Sequence, residues 1–283
     1  MYRTKRKKRE IIFFLVLLVI NVGIFSYRIR SSAEEEGPSL RTIDRGEDCI
    51  WIDDSFGYRL AEADGAFFRI DVLESEGYGV VVRGPENEYR YANIPKGKHD
   101  ISLCDGDGEY TILFAKHLEG STYRIKETVT VTVRQDDSIN VFLRPSYFVD
   151  YDEDSPFLKQ KAEELQGSTV RETVQAVTDY VYRNIRYDRA KAEEIRKKDI
   201  RISQAIPDIE KIFQEGKGIC LDQAAVTTAL LRNMNVPCKL VFGDRCGEYH
   251  SWALAYIGDE WIIADATNGF VGNSTDYLAQ ICY

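Results

Sequence analysis

The chain of 283 residues carries a formal net charge of −9 and is 44% hydrophobic, apolar enough for one large or two modest folded domains. The charge is unevenly spread: residues 1–30 hold eight Lys/Arg against one acid, leaving about −16 on the rest. A surface that acidic, with no basic run in it, excludes nucleic acid as a partner, because polyphosphate requires a basic face.

Arg3, Lys5, Arg6, Lys7, Lys8 and Arg9 precede an apolar run from Ile11 to Tyr27 in which Asn21 is the only strongly polar residue. This predicts a membrane-spanning helix over residues 11–27. The basic flank then stays cytoplasmic, and everything after Arg30 is extracytoplasmic. Ser31-Ser32-Ala33 is a small-residue pattern that a signal peptidase accepts, but Tyr27-Arg28-Ile29-Arg30 intervenes and favours an uncleaved anchor. Residues 31–47, polar and charged with Gly37-Pro38, read as a tether.

From residue 48 to 146 the pattern changes to short apolar or alternating stretches between turn residues. Phe67–Val72, Gly79–Val82, Tyr110–Phe114, Thr128–Val133 and Ile139–Leu143 are predicted strands, and their β-branched content and spacing suggest a small antiparallel sandwich. Asp105-Gly106-Asp107-Gly108 and Gln135-Asp136-Asp137-Ser138 separate neighbouring strands as turns. The Asp/Gly run lacks the twelve-residue spacing and closing glutamate of a calcium loop, and no CxxC pair suggests zinc. No cofactor is expected. His99 and His117 read as surface or edge residues, and this region as one that binds, spaces or orients.

Residues 147–283 form the helical part. Ser155-Pro156 opens one helix, and Thr169-Val170-Arg171-Glu172 is a capping box opening another, with Val170, Val174, Val177 and Val181 along its apolar face. Ile185-Arg186-Tyr187-Asp188 ends it. A charged, solvated stretch follows, and then Asp208 caps a short helix to Gln214.

Gly216-Lys217-Gly218-Ile219-Cys220 next sets a cysteine at a glycine-loosened turn directly before a helical run that Asn235-Val236-Pro237 stops. A helix N-terminus favours thiolate over thiol, so Cys220 is placed to be a nucleophile, with Gly216 and Gly218 leaving room for a substrate carbonyl. A thiolate needs a base, and the base an orienting group. Of three histidines, His250 alone lies downstream, opening the strand pattern Tyr249–Ile257. A Gly258-Asp259 turn leads to Trp261–Thr267, which carries Asp265. With a two-residue turn Ile257 pairs with Glu260, Trp252 lies opposite Asp265, and His250 becomes the diagonal neighbour of Asp265 on the same face.

Gly218-Ile219-Cys220, His250-Ser251-Trp252 and Trp261 through Asp265-Ala266-Thr267 resemble the transglutaminase-like superfamily, with its papain-related core, over about the last half of the chain. The resemblance implies an α+β domain in which the helix bearing the nucleophile packs on an antiparallel sheet. It also implies a Cys–His–Asp triad on Cys220, His250 and Asp265, in a membrane-anchored member of bacterial type. Ala266 stands where the family usually has proline, and Gln223 where it often has an aromatic or acidic residue. The expected chemistry is thiol-mediated acyl transfer on peptide or protein amides, including cell-surface or cell-wall peptides. Water as acceptor gives a peptidase or amidase, and a lysine-like amine gives a transglutaminase. Gln214 and Tyr187 are alternative second oxyanion donors. Cys49–Cys104 is one candidate bridge among the other five cysteines. The rival reading is a non-catalytic binding or scaffold module at the cell surface, which a mutated triad would favour and an intact one does not.

Overall fold

The computed structural model describes residues 40–42, 49–60, 66–73, 77–119, 122–134, 139–197 and 205–283. Among these no helix is long and apolar enough to cross a membrane; the span expected at residues 11–27 lies outside them, as does the turn at 135–138.

The first part is all β: β1 (Leu40–Thr42), β2 (Ile50–Asp53), β3 (Phe56–Leu60), β4 (Phe67–Val72), β5 (Tyr78–Arg83), β6 (Glu88–Tyr91), β7 (Gly97–Ser102), β8 (Gly108–His117) and β9 (Tyr123–Val133). They form two sheets, ordered β2-β3-β4-β7 and β1-β9-β8-β5-β6, antiparallel except where β1 runs parallel to β9. Alternate residues point to one face, so Phe56, Tyr58, Phe68 and Ile70 of one sheet are buried with Tyr78, Val80, Val82, Ile112 and Phe114 of the other. The Phe114 ring lies 4.4 Å from Tyr58, 5.8 Å from Phe56 and 6.0 Å from Phe68, centroid to centroid. Each such fully buried ring contributes about 1.5–3 kcal/mol by leaving water.

The expected strand at Ile139–Leu143 is instead a 3-10 turn over Asn140–Leu143. Its alternation reads as β, but Phe142 turns into the interface with the next domain and packs edge-on against Trp261 at 5.4 Å. Tertiary packing overrides local propensity here.

The helices are α1 (Pro156–Leu165), α2 (Val170–Asn184), α3 (Arg189–Lys197), α4 (Ile209–Glu215) and α5 (Cys220–Asn233). Capping follows the sequence: the Ser155 hydroxyl accepts from Leu158 N–H, Thr169 and Glu172 bond reciprocally, and Asp208 accepts from Lys211 N–H. Val174, Val177 and Val181 are fully buried, whereas Val170, in the first turn of α2, stays exposed. No residue of α3 is buried, as its charges demand.

The short strands β10 (Arg186–Tyr187) and β11 (Lys217–Gly218) pair in parallel between α2 and α5. The last strands are β12 (Cys238–Arg245), β13 (Glu248–Ile257), β14 (Glu260–Asp265), β15 (Phe270–Gly272) and β16 (Tyr277–Cys282), in the order β15-β14-β13-β12-β16. Helix α5 is buried from Cys220 to Arg232, and Ala224 and Ala229 share one core with Leu240, Phe242, Ala253, Ala255 and Ala264 of the sheet. Small residues let the helix approach closely. The opposite sheet face gathers Val241, Trp252 and Ile263, and there the two edge strands curl together: Phe270 of β15 stacks on Tyr277 of β16 at 5.8 Å.

The apolar core runs without a break from sandwich to helical part. Tyr283 packs at 5.5 Å from Tyr89, 4.8 Å from Phe148 and 5.6 Å from Phe242. Buried Arg232 donates to the carbonyls of Cys238, Arg144 and Tyr283 and to the Ser146 hydroxyl, satisfying a desolvated charge while tying connector, helix and sheet together.

Candidate active site

Cys220 begins α5 and is 5% exposed. Three contacts fix the approach to it. Arg186 N–H and Asp188 N–H donate to the carbonyls of Gly216 and Gly218, both at 2.9 Å, lashing the entry strand to the end of α2. Gly216 has φ +61° as the left-handed C-cap of α4, a conformation that favours glycine. The Asp222 carboxylate reaches back to Ile219 N–H at 2.8 Å, satisfying one of the helix's unpaired N–H groups. Asp222 is fully buried, and Lys191 meets both its oxygens at 2.6 and 2.8 Å.

The glycines also have a structural task. A β-carbon on Gly218 would stand 2.6 Å from Cβ of Asp222, so Gly218 makes room for the capping side chain. Gly216 serves the turn.

The hairpin brings in the other two residues. Gly258 and Asp259, with φ of +57° and +69°, make a two-residue turn that pairs Ile257 with Glu260 and Ala253 with Ala264. His250 Nε2 and Asp265 Oδ2 lie 2.9 Å apart, with Asp265 fully buried and His250 8% exposed. Cys220, at the start of α5, acts on the same imidazole and raises its pKa. Because Nε2 faces Asp265, Nδ1 is the nitrogen left for the thiol. Burial alone would drive the proton off His250, but its interactions with Asp265 and Cys220 outweigh that and push its pKa up to about 9. Burial works against the Asp265 carboxylate too, yet His250, Asn268 and Tyr277 hold its pKa below the usual value. Trp252 stacks beside the imidazole at 6.0 Å and is 1% exposed, walling it from water.

Of the two residues expected as oxyanion donors, Tyr187 adjoins Cys220: β10 sets it opposite Gly218, and burial followed by the charge of Cys220 raises its pKa. Gln214 is exposed at the end of α4. Gln223, which the sequence marked only as a departure from the family pattern, spans the site: it donates to the Ile185 carbonyl at 2.6 Å and accepts from Thr267 at 2.8 Å. Its place one helical turn after Cys220 was the available signal.

All six cysteines are free, so the candidate Cys49–Cys104 bridge is not formed. The Cys49 thiol points to Asp71 at 3.6 Å, while that of Cys104 lies 3.5 Å from the Cys282 carbonyl, in the seam between the two halves. Among the described residues no group of three or more His, Cys, Asp or Glu could hold a metal ion. Asp105, from the Asp/Gly run, accepts from Glu86 N–H and Asn87 N–H at 2.7 Å and so closes a turn.

Residues 159–266, which contain Cys220, His250 and Asp265, match the family described as the transglutaminase-like superfamily. That match places the transglutaminase-like region within the second part of the chain. No curated protein matches it. Among solved structures, this chain resembles a proposed cysteine protease of Cytophaga hutchinsonii at 21% identity and TM-score 0.43, covering 74% of this chain and 78% of that one. The periplasmic domain of TgpA from Pseudomonas aeruginosa aligns at 12% identity and TM-score 0.34, over 69% of this chain and 91% of that one. Red sea bream transglutaminase aligns at 11% identity and TM-score 0.31, over 75% of this chain and 51% of its own.

Proposed function

We propose that the protein is a cysteine-dependent enzyme that transfers or hydrolyses acyl groups of peptide or protein amides through Cys220, His250 and Asp265. The observation that carries this reading is the imidazole of His250, held by Asp265 at 2.9 Å through one nitrogen, with Cys220 at the start of α5 acting on the same ring.

In the proposed reaction Cys220 Sγ attacks the amide carbonyl while its proton passes to His250 Nδ1. The tetrahedral oxyanion forms beside the N–H groups at the start of α5. Collapse breaks the C–N bond, and Nδ1 returns the proton to the leaving amine. The thioester is then taken by water or by a second amine, with His250 as base. Asp265 holds the imidazole in one orientation and stabilises its charged form. Residues 1–30 support an extracytoplasmic placement, with the anchor at 11–27 holding the acidic remainder at the membrane surface. Accessible peptide, cell-surface protein or wall peptide is then the substrate class.

The test is a limiting thiol alkylator at pH 6, followed by peptide mapping of all six cysteines in the folded protein. Cys220 should be labelled first despite its burial, because an imidazolium partner sustains a thiolate where ordinary thiols are protonated. Labelling of exposed Cys246 ahead of Cys220 would support the binding-module reading instead.

A further inference from the structure

Asp265 Oδ2 receives three donors, not one: His250 Nε2 at 2.9 Å, Asn268 Nδ2 at 2.7 Å and the Tyr277 hydroxyl at 2.8 Å. Oδ1 takes the N–H groups of Thr267 at 2.9 Å and Asn268 at 3.3 Å. Tyr277 in turn accepts from Arg245 Nε at 2.9 Å, and that nitrogen lies 3.9 Å from Asp265 Oδ2. A hydroxyl that receives from a cation donates more strongly, so Arg245 acts on the carboxylate through Tyr277. These two residues come from β12 and β16, and they meet Asp265 because the sheet curls and its outer strand closes over the face that carries His250.

We propose that Tyr277 and Arg245 are positioning residues that draw charge from Asp265 and thereby set how tightly His250 keeps its proton. This rests on the catalytic reading of Cys220, His250 and Asp265. The titratable and charged groups around the pair are Cys220 from α5, Arg245 from β12, Glu248 on β13 itself, and Tyr277 from β16. Only Tyr277 and Arg245 bear on the far side of the carboxylate. Removing either leaves more negative charge facing the imidazolium, so the proton should be held to higher pH.

The experiment is the rate of Cys220 alkylation against pH in the full chain, for the natural protein, Tyr277→Phe and Arg245→Gln. Tyr277→Phe keeps the ring that packs on Trp252 and Phe270, and Arg245→Gln gives an independent readout should that ring shift. Both variants should move the alkaline limb upward by about 0.5–1 pH unit. An unmoved limb in both variants, whatever the change in amplitude, overturns the positioning role and leaves the catalytic reading intact. If the natural protein itself reacts as an ordinary thiol, with no enhanced region at low pH, the catalytic reading falls first and the proposal with it.

Discussion

Trp252 continues a register in which Ala253 faces Ala264, and this places His250, two residues earlier on the same face, diagonally against Asp265 at 2.9 Å. A one-residue change in the turn at Gly258-Asp259 would send the two side chains to opposite faces. Asp265→Asn keeps an acceptor for the Thr267 N–H while presenting the wrong partner to the imidazole. Its kcat per folded molecule should fall by roughly 10²–10⁴, beyond the accompanying drop in melting temperature from the donors left facing an NH2. A loss of less than tenfold would remove Asp265 from the triad.

Gly218 and Asp222 occupy space that admits one β-carbon. Gly218→Ala should destabilise by about 1–3 kcal/mol through overpacking, read as a lower denaturation midpoint. In a double-mutant cycle with Asp222→Gly the cost should shrink, because the obstructing β-carbon is gone. Additive costs would place the strain elsewhere.

Gln223 joins the end of α2 to the loop after Asp265. Gln223→Leu leaves the Ile185 carbonyl and the Thr267 hydroxyl without their partner, costing about 1–3 kcal/mol. Activity should drop beyond what that loss explains, since the same loop carries the Asp265 contacts. Equal activity per folded molecule would make Gln223 purely structural.

Much of this arrangement was legible in the sequence because it rests on local rules. Turn length sets hairpin register, an Asp or Thr before a helix caps it, and alternation names the buried face. What escaped depends on distant packing. Phe142 lies in a segment that alternates like a strand, and only its contact with Trp261 makes it a turn. The purpose of Gly218 was invisible without knowing that Asp222, four residues later, folds back over it. Tyr277 and Arg245 sit in unremarkable strand patterns, and only the curl of the sheet brings them to Asp265.

His250 titrates near 9 in the fold against 6.5 for the free group, so its contribution to stability is complete below about 6.5 and is lost as pH rises toward 9. Asp265, held low, contributes above the ordinary carboxylate range and loses that contribution as pH falls. The melting temperature should therefore decline between pH 6.5 and 9, and His250→Gln should flatten that decline. An identical slope in both proteins would show that another group governs it.

In the proposed mechanism Cys220 carries an acyl group during turnover. A peptide library presented to the full chain, quenched in acid and analysed by mass, should leave a thioester adduct on the peptide containing Cys220 and on no other cysteine. The adduct should disappear with neutral hydroxylamine and be absent in Cys220→Ala. Turnover of those peptides without any adduct on Cys220, or undiminished turnover by Cys220→Ala, would contradict the account.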